Sequence, residues 1–243
     1  MKASLRTLSI LAVLAPAAVC FGQTGAETPQ PSEAARKRPN SILLFGGRLS
    51  TTDLTSTLVF NLNYSPHPGS RGAKPAFDND IVGVEYERDV LELAHDLRLR
   101  AEGGIDDRFG HYLVCCLSLN PRDPLRADRT SRTRGLTHSV EVWFGGKVRW
   151  ENFKLGVINL EVAGTVGLSG VSRTLGRERQ RAIDDHGNAH VLGFVAPELG
   201  ASLERVPRFE LVVRVMHRSG AGGTFGGIRE GYNADVVGLR YTF

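Results

Sequence analysis

The 243 residues carry 30 Lys and Arg against 26 Asp and Glu, a formal charge of +4, with 41% apolar and 23% charged content. That balance excludes a wholly disordered chain, is only mildly basic, and contains nothing that points to nucleic acid. Twenty-eight glycines suit tight strands and turns better than helices, and three cysteines exclude a disulfide scaffold.

Residues 1–22 read as a secretory signal. Lys2 and Arg6 supply the positive start, and Leu8 through Val19 form an apolar core too short to cross a bilayer as a helix. Cleavage before Gln23 places Cys20 and Gly22 at the small-residue positions; Val19 is a poor residue ahead of a lipoprotein cysteine. Cys115 and Cys116 then remain, and neighbouring cysteines bridge each other only with strain. There is no CxxC pair and no His/Cys spacing of the zinc type, so no metal and no cofactor is expected. Residues 23–40, polar and Pro-bearing, read as a flexible linker ahead of a domain spanning 41–243.

A first strand is expected over 42–49, followed by a long, poorly patterned loop to residue 79. Alternation then persists. Val82, Val84 and Tyr86 oppose Ile81, Glu85 and Glu87; Leu97, Leu99 and Ala101 oppose Asp96, Arg98, Arg100 and Glu102. Val140, Val142, Phe144, Val148 and Trp150 oppose Glu141, Lys147 and Arg149, with Trp143 breaking the pattern. Ile158, Leu160, Val162, Val166 and Leu168 oppose Asn159, Glu161, Thr165 and Ser169. Val191, Val195, Leu199, Ala201 and Leu203 oppose Glu198, Ser202 and Glu204. The run 112–119 is a further, less regular candidate.

A soluble sandwich and a membrane barrel both produce such strands. Charges deep within the polar faces, such as Glu161 and Glu198, favour the barrel, as do strand length and the lack of any later stretch suited to a spanning helix. So do short turns at Glu151-Asn152 and Val206-Pro207 alternating with long polar loops at 120–137 and 172–189. An antiparallel transmembrane β-barrel of eight strands is expected, the 112–119 run leaving the count open. Glu161 and Glu198 should pair in its lumen with Arg149 and Arg214, because charges inside a narrow barrel need partners.

The chain ends HRSGAGGTFGGIREGYNADVVGLRYTF. Leu211, Val213 and Val215 share a strand face with His217 and Ser219; Val237, Leu239, Tyr241 and Phe243 share one face of the last strand. A His is the usual base for a Ser nucleophile, and an acidic third group fixes the His tautomer. Same-face residues i and i+2 stand roughly 7 Å apart at the backbone, so their side chains must lean to meet. Glu230 is the nearest carboxylate, just across the loop. Unbroken alternation points it inward with Gly238 and Arg240; a bulge at Gly231 would turn it back.

His217-Arg218-Ser219 followed by Glu230, at the end of a barrel, resembles the lipid A deacylase family of the PagL type. The resemblance covers about the last fifty residues, from Val195. It implies an eight-stranded bacterial outer-membrane barrel whose terminal Phe243 lies near the periplasm. His217 and Ser219 then stand at the outer end of a strand, facing lipid. It further implies an esterase that removes an ester-linked acyl chain from lipid A, with Ser219 as nucleophile, His217 as base and Glu230 as orienter. The family usually has Asn after the Ser; Gly220 stands here, so amides of the glycine-rich loop would have to serve the oxyanion. Arg126, Arg129, Arg132 and Arg177 in the long loops suit the phosphates of lipid A or lipopolysaccharide as the membrane partner. Asp184, Asp185, His186 and His190 have spacing too mixed for a metal site. The alternative is a non-catalytic barrel whose loops bind lipopolysaccharide or a surface partner.

Overall fold

The structure, a computed structural model, describes residues 40–50, 77–94, 96–110 and 137–243. Eight strands follow in chain order: β1 (Asn40–Ser50), β2 (Phe77–Ala94), β3 (Leu97–Gly110), β4 (Thr137–Leu155), β5 (Ile158–Val171), β6 (Val191–Leu203), β7 (Phe209–Ser219) and β8 (Glu230–Thr242). Each pairs antiparallel with its neighbour, and β1 pairs with β8 to close the barrel. The closing seam runs to its end, where Phe243 N donates to Asn40 O (2.9 Å) and Asn40 N to Phe243 O (3.3 Å). No strand edge is left unpaired, which is what a sheet crossing lipid requires.

The alternation turns the molecule inside out relative to a soluble protein. Leu44, Phe144 and Val166 are 61%, 65% and 66% exposed on the outer wall, while Glu85, Glu141 and Lys147 are wholly buried within it. Trp150, Phe153, Phe209, Tyr241 and Phe243 gather on the outside at the end with short turns and the chain terminus; Trp150 packs on Phe153 and Phe209 on Tyr241. That is where an aromatic girdle meets the bilayer interface.

The lumen is filled in three layers. Toward the short turns, six glutamates (Glu85, Glu87, Glu102, Glu161, Glu198, Glu210) interleave with Arg100, Lys147, Arg149, Arg214 and Arg240. Lys147 Nζ lies 2.6 Å from Glu87, 3.0 Å from Glu102 and 3.1 Å from Glu198. Arg240 reaches Glu87 (2.8 Å), Glu161 (2.7 Å) and Glu210 (2.7 Å). The expected pairs form, Glu198 with Arg214 and Glu161 with Arg149. Above them lies an apolar layer, in which Trp143 stacks on Phe194 and meets Phe45 edge-on. Trp143 breaks its strand's pattern because it fills this layer. Gly104 stands opposite it in the register, where any Cβ would run into the indole. The third layer, of Arg108, Glu141, Arg218 and Tyr232, closes the far end.

Two expectations are corrected. Glu151-Asn152 is no turn. β4 runs on to Leu155, its register shifts between Trp150 and Phe153, and the chain turns at residues 156–157, where Gly156 supplies φ +62°. Glu151 is held within the strand by Arg149, 2.9 Å away. The 172–189 segment is not mere polar loop; it contains helix α1 (Gly176–Asp184). Its sequence GRERQRAID is rich in good helix formers, with Glu178 in the first turn where the helix dipole favours a carboxylate. Glu178 is wholly buried and pairs with both Arg108 (3.1 Å) and Arg218, so α1 is anchored on the third layer. The 112–119 run and residues 1–39 lie outside the described residues.

Removing one partner from the charge layer leaves a buried charge uncompensated, at a cost of about 3–5 kcal/mol. Arg214→Met should therefore lower the urea midpoint of the barrel in lipid vesicles markedly. Leu211→Ala, at an outward position on the same strand, should lower it less.

Candidate functional site

Strand β7 carries two messages on its two faces. Glu210, Val212, Arg214, Met216 and Arg218 point into the lumen; Leu211, Val213, Val215, His217 and Ser219 point out. The outward face changes character along its length, because Leu211 is 54% exposed whereas His217 is only 7% exposed. His217 is an outward-facing but enclosed imidazole.

Its partner is Asn233. His217 Nδ1 and Asn233 Oδ1 are 2.6 Å apart, and Asn233 is fully buried. The two stand directly opposite in the β7–β8 register, and Ser50 stands opposite Asn233 across the closing seam. Three polar side chains, Ser50, Asn233 and His217, thus form one cross-strand row on the outer wall, next to a charged row of Asp80, Arg48 and Asp235. An amide oxygen can only accept, so Nδ1 carries the proton and Nε2 keeps its lone pair. This is the tautomer a general base needs.

The bulge expected near Gly231 is present. His217 pairs with Asn233 and Ser219 with Glu230, so β8 has one residue more than β7 between these pairs. Gly231 and Tyr232 are both buried, and Tyr232 points into the lumen, where its hydroxyl donates to Glu141. A Cβ on Gly231 would sit 2.7 Å from Leu192 Cδ1 and 3.0 Å from the Arg218 carbonyl oxygen, so a larger residue there would have to push its neighbours aside. The extra residue brings Glu230 opposite Ser219. Its carboxylate pairs with Arg181 of α1 (3.0 Å). Glu230 also acts on His217, but electrostatically, and the hydrogen bond to the ring belongs to Asn233.

Ser219 is partly exposed at the strand end, and its Oγ accepts the Ala221 N–H at 3.0 Å. No hydrogen bond joins it to His217 among the described residues. The following loop folds back tightly through a 3-10 turn at Ala221–Gly223. Gly220 N donates to Arg229 O, and Gly223 N and Phe225 N both donate to Gly220 O, so these three amides are engaged within the loop. A Cβ at Gly220 would collide with the Ile228 carbonyl, which is why Asn cannot follow Ser219 here. Phe225 lies against Gly193, the residue opposite Ser219, and gives the serine an apolar neighbour.

Among the arginines expected to meet phosphate, Arg126, Arg129 and Arg132 lie outside the described residues, and Arg177 is in the first turn of α1 with its side chain likewise outside them. The arginine that reaches the rim is Arg181. The Asp184–His190 segment is engaged in structure: Asp184 accepts from Gln180, Asp185 from the Arg229 amide, and His190 Nδ1 meets Val171 O. His186 and His190 line a cavity of about 390 Å³ together with Arg179, Thr174 and Asn188. Glu85, Glu87 and Glu102 lie close enough together to share an ion, but Lys147 Nζ already bridges all three.

Asn233 is not singled out by the sequence reading, because the familiar third partner of a Ser–His pair is a carboxylate rather than an amide. Its signal was present, since counting back by twos from Phe243 places Asn233 on the apolar face of β8, just as His217 interrupts the apolar face of β7.

No family model matches the sequence, and no curated relative does. Solved barrels resemble the chain in shape. The crystal structure of the outer membrane enzyme PagL is 10% identical, with a TM-score of 0.48 over 84% of this chain and 99% of that one. Neisserial surface protein A is 8% identical, with a TM-score of 0.42 over 84% and 96%. The N-terminal β-barrel domain of Pseudomonas aeruginosa OprF is 11% identical, with a TM-score of 0.37 over 85% and 98%. Likenesses at this level carry no chemistry, which rests on the chain's own side chains.

Proposed function

We propose that the protein is a bacterial outer-membrane esterase, exported by its signal peptide, that removes an ester-linked acyl chain from lipid A. The observation that carries this reading is the enclosed His217–Asn233 hydrogen bond on the outward wall, one strand step from Ser219. A lipid whose acyl chains lie against that wall brings its ester to the rim without leaving the membrane. Ser219 Oγ attacks the ester carbonyl while His217 Nε2 takes the hydroxyl proton. The tetrahedral intermediate collapses, the sugar oxygen leaves with the proton returned by His217, and water, activated by the same ring, releases the fatty acid from Ser219. Asn233 holds the ring in the tautomer this needs. Glu230 adds negative charge that favours the imidazolium formed in the transition state.

A second reading keeps the barrel and drops the chemistry: a non-catalytic wall whose loops bind lipopolysaccharide or a surface partner. The bond from Ala221 N to Ser219 Oγ favours it, since an oxygen accepting that bond is turned toward its own loop rather than toward His217.

The mass of lipid A from cells with and without the protein distinguishes the two. Loss of a hydroxyacyl chain supports the esterase; unchanged lipid A with folded barrel in the membrane leaves the binding protein. If the esterase reading holds, Ser219→Ala and His217→Ala should each remove nearly all activity, and the double variant should lose little more, because the pair acts as a unit.

The third position has its own signature. Asn233→Ala should lower kcat by about 10²-fold, the lower end of what a positioned base contributes, as measured by fatty-acid release from lipid A in detergent. Asn233→Asp, which still accepts from Nδ1, should retain more activity than Asn233→Ala.

A further inference from the structure

Resting on that reading, we propose that Arg181 of α1 is a positioning residue for the rim: it pins the β8 bulge and so keeps Asn233 turned onto the His217 ring. A bulge disrupts the hydrogen-bond ladder around its extra residue, and a carbonyl displaced from the ladder at a buried position must find another donor. Here that donor is a guanidinium. Arg181 Nη1 lies 2.7 Å from the Gly231 carbonyl oxygen, and Nη2 lies 3.0 Å from Glu230 Oε2. The two contacts fall on Glu230, which pairs with Ser219, and on Gly231, the first of the two residues between that pair and the His217–Asn233 pair. Arg is suited to the task, because its planar fork meets a carbonyl and a carboxylate at once.

The helix that presents Arg181 is itself fixed from both directions. On the lumen side, Glu178 is gripped by Arg108 and by Arg218, the residue between His217 and Ser219. On the loop side, Asp185 Oδ2 accepts the Arg229 N–H (3.2 Å), and Asn188 N donates to Gly226 O (2.6 Å). The segment between β5 and β6 is therefore the second half of the rim. Without Arg181 the bulge can migrate or relax. A one-residue slip in β8 turns Asn233 to the other side of the wall and removes the acceptor from Nδ1.

Arg181 also stands beside the charge that His217 feels. Glu230 and Arg181 both act on the ring, with Asp235 next along the outward face of β8 and Arg48 paired to Asp80 beyond it. Arg181 sets the local balance by binding Glu230 rather than leaving that carboxylate to compete with Asn233 for the imidazole.

The test is the tautomer of His217, read by 15N NMR of histidine-labelled full-length protein in lipid nanodiscs, beside steady-state kinetics on lipid A. In the wild type the ring shows a single Nδ1–H tautomer. Arg181→Met should collapse it into an exchanging mixture and lower kcat about tenfold or more with KM within twofold, in keeping with the cost of small misplacements in an active site. Arg181→Lys keeps a donor for the Gly231 carbonyl but loses the fork that also holds Glu230, so it should restore only part of both signals. Glu230→Gln should keep the tautomer, because the bond to Gly231 remains. If Arg181→Met does not fold, Arg181→Gln removes the charge and shortens the reach, and should show the same mixture. A wild-type tautomer in both the Met and the Gln variant overturns the proposal. If the tautomer responds as expected but wild-type protein cleaves no lipid, the positioning role stands and the esterase reading fails. If lipid is cleaved and the tautomer is indifferent to Arg181, the reverse holds.

Discussion

A closed eight-stranded barrel has no free edge and a lumen just wide enough for side chains, so the charges that alternation turns inward are stabilised by partners that are themselves inward. The architecture follows from that constraint. Lys147 meets four glutamates and Arg240 another set of four, two of which the pair share, Glu87 and Glu198. No strand of the charge layer can slip by one residue without carrying charges to the lipid face and apolar side chains into the network. The network makes the register specific, and the apolar layer of Trp143, Phe194 and Phe45 above it packs only in that register. The same filling leaves the charge layer without the shape of an aqueous channel.

Against so strict a register, a departure is informative. β8 carries one extra residue at the level where β7 carries His217 and Ser219. An extra residue there disrupts the ladder, is accommodated by the small Gly231 in a tight space, and takes a donor from outside the sheet in Arg181. It also brings a carboxylate and a serine to the same level of the wall beside an imidazole. The register also shifts in β1 after Leu49, in β2 beyond Asp89 and in β4 after Trp150; the shift in β8 differs in falling between the His217–Asn233 and Ser219–Glu230 pairs, where polar side chains meet on the outer wall.

How far the sequence could be read follows from the same physics. Period-2 alternation is strict where one wall meets lipid and the other a packed lumen, so strand identity, facing and the inward pairs Glu198–Arg214 and Glu161–Arg149 were legible. Alternation says nothing about where a strand stops. The polar Glu151-Asn152 looked like a turn because it ends an apolar run, yet it lies within β4, whose register shift absorbs it. α1 was hidden for a different reason: its buried face is mostly polar, with Glu178 and Gln180 inside and Ala182 adding an apolar contact, and the partners of Glu178, Arg108 and Arg218, are 70 and 40 positions away. At the rim, His217 and Ser219 could be seen along the chain, whereas the irregularity at Gly231 was only a condition for turning Glu230 outward and needed the register to be established. The partner of the His217 ring could not be chosen without the register. A carboxylate is the familiar third member, but hydrogen bonding selects whichever acceptor stands opposite, and that is Asn233.

His217-Arg218-Ser219 is best understood as a wall crossing rather than as a motif on a surface. Its outer residues face the side where lipid lies, and its middle residue enters the lumen. There Arg218 meets Glu178 and Glu141 and donates to the carbonyls of Ala189 and His190. A serine and a histidine at the frayed end of a strand would have little reason to hold still. Anchoring the residue between them to a buried glutamate and to the loop that carries α1 removes that freedom from the inside, where water does not compete. The same helix then reaches over the rim with Arg181 to hold the bulge on the facing strand. The inward grip on β7 and the outward grip on β8 come from residues three apart on one helix, about one turn, so the helix fixes both strands of the rim relative to each other. Rigid positioning of this kind is what the proposed Ser219–His217 dyad would require before it could act at all.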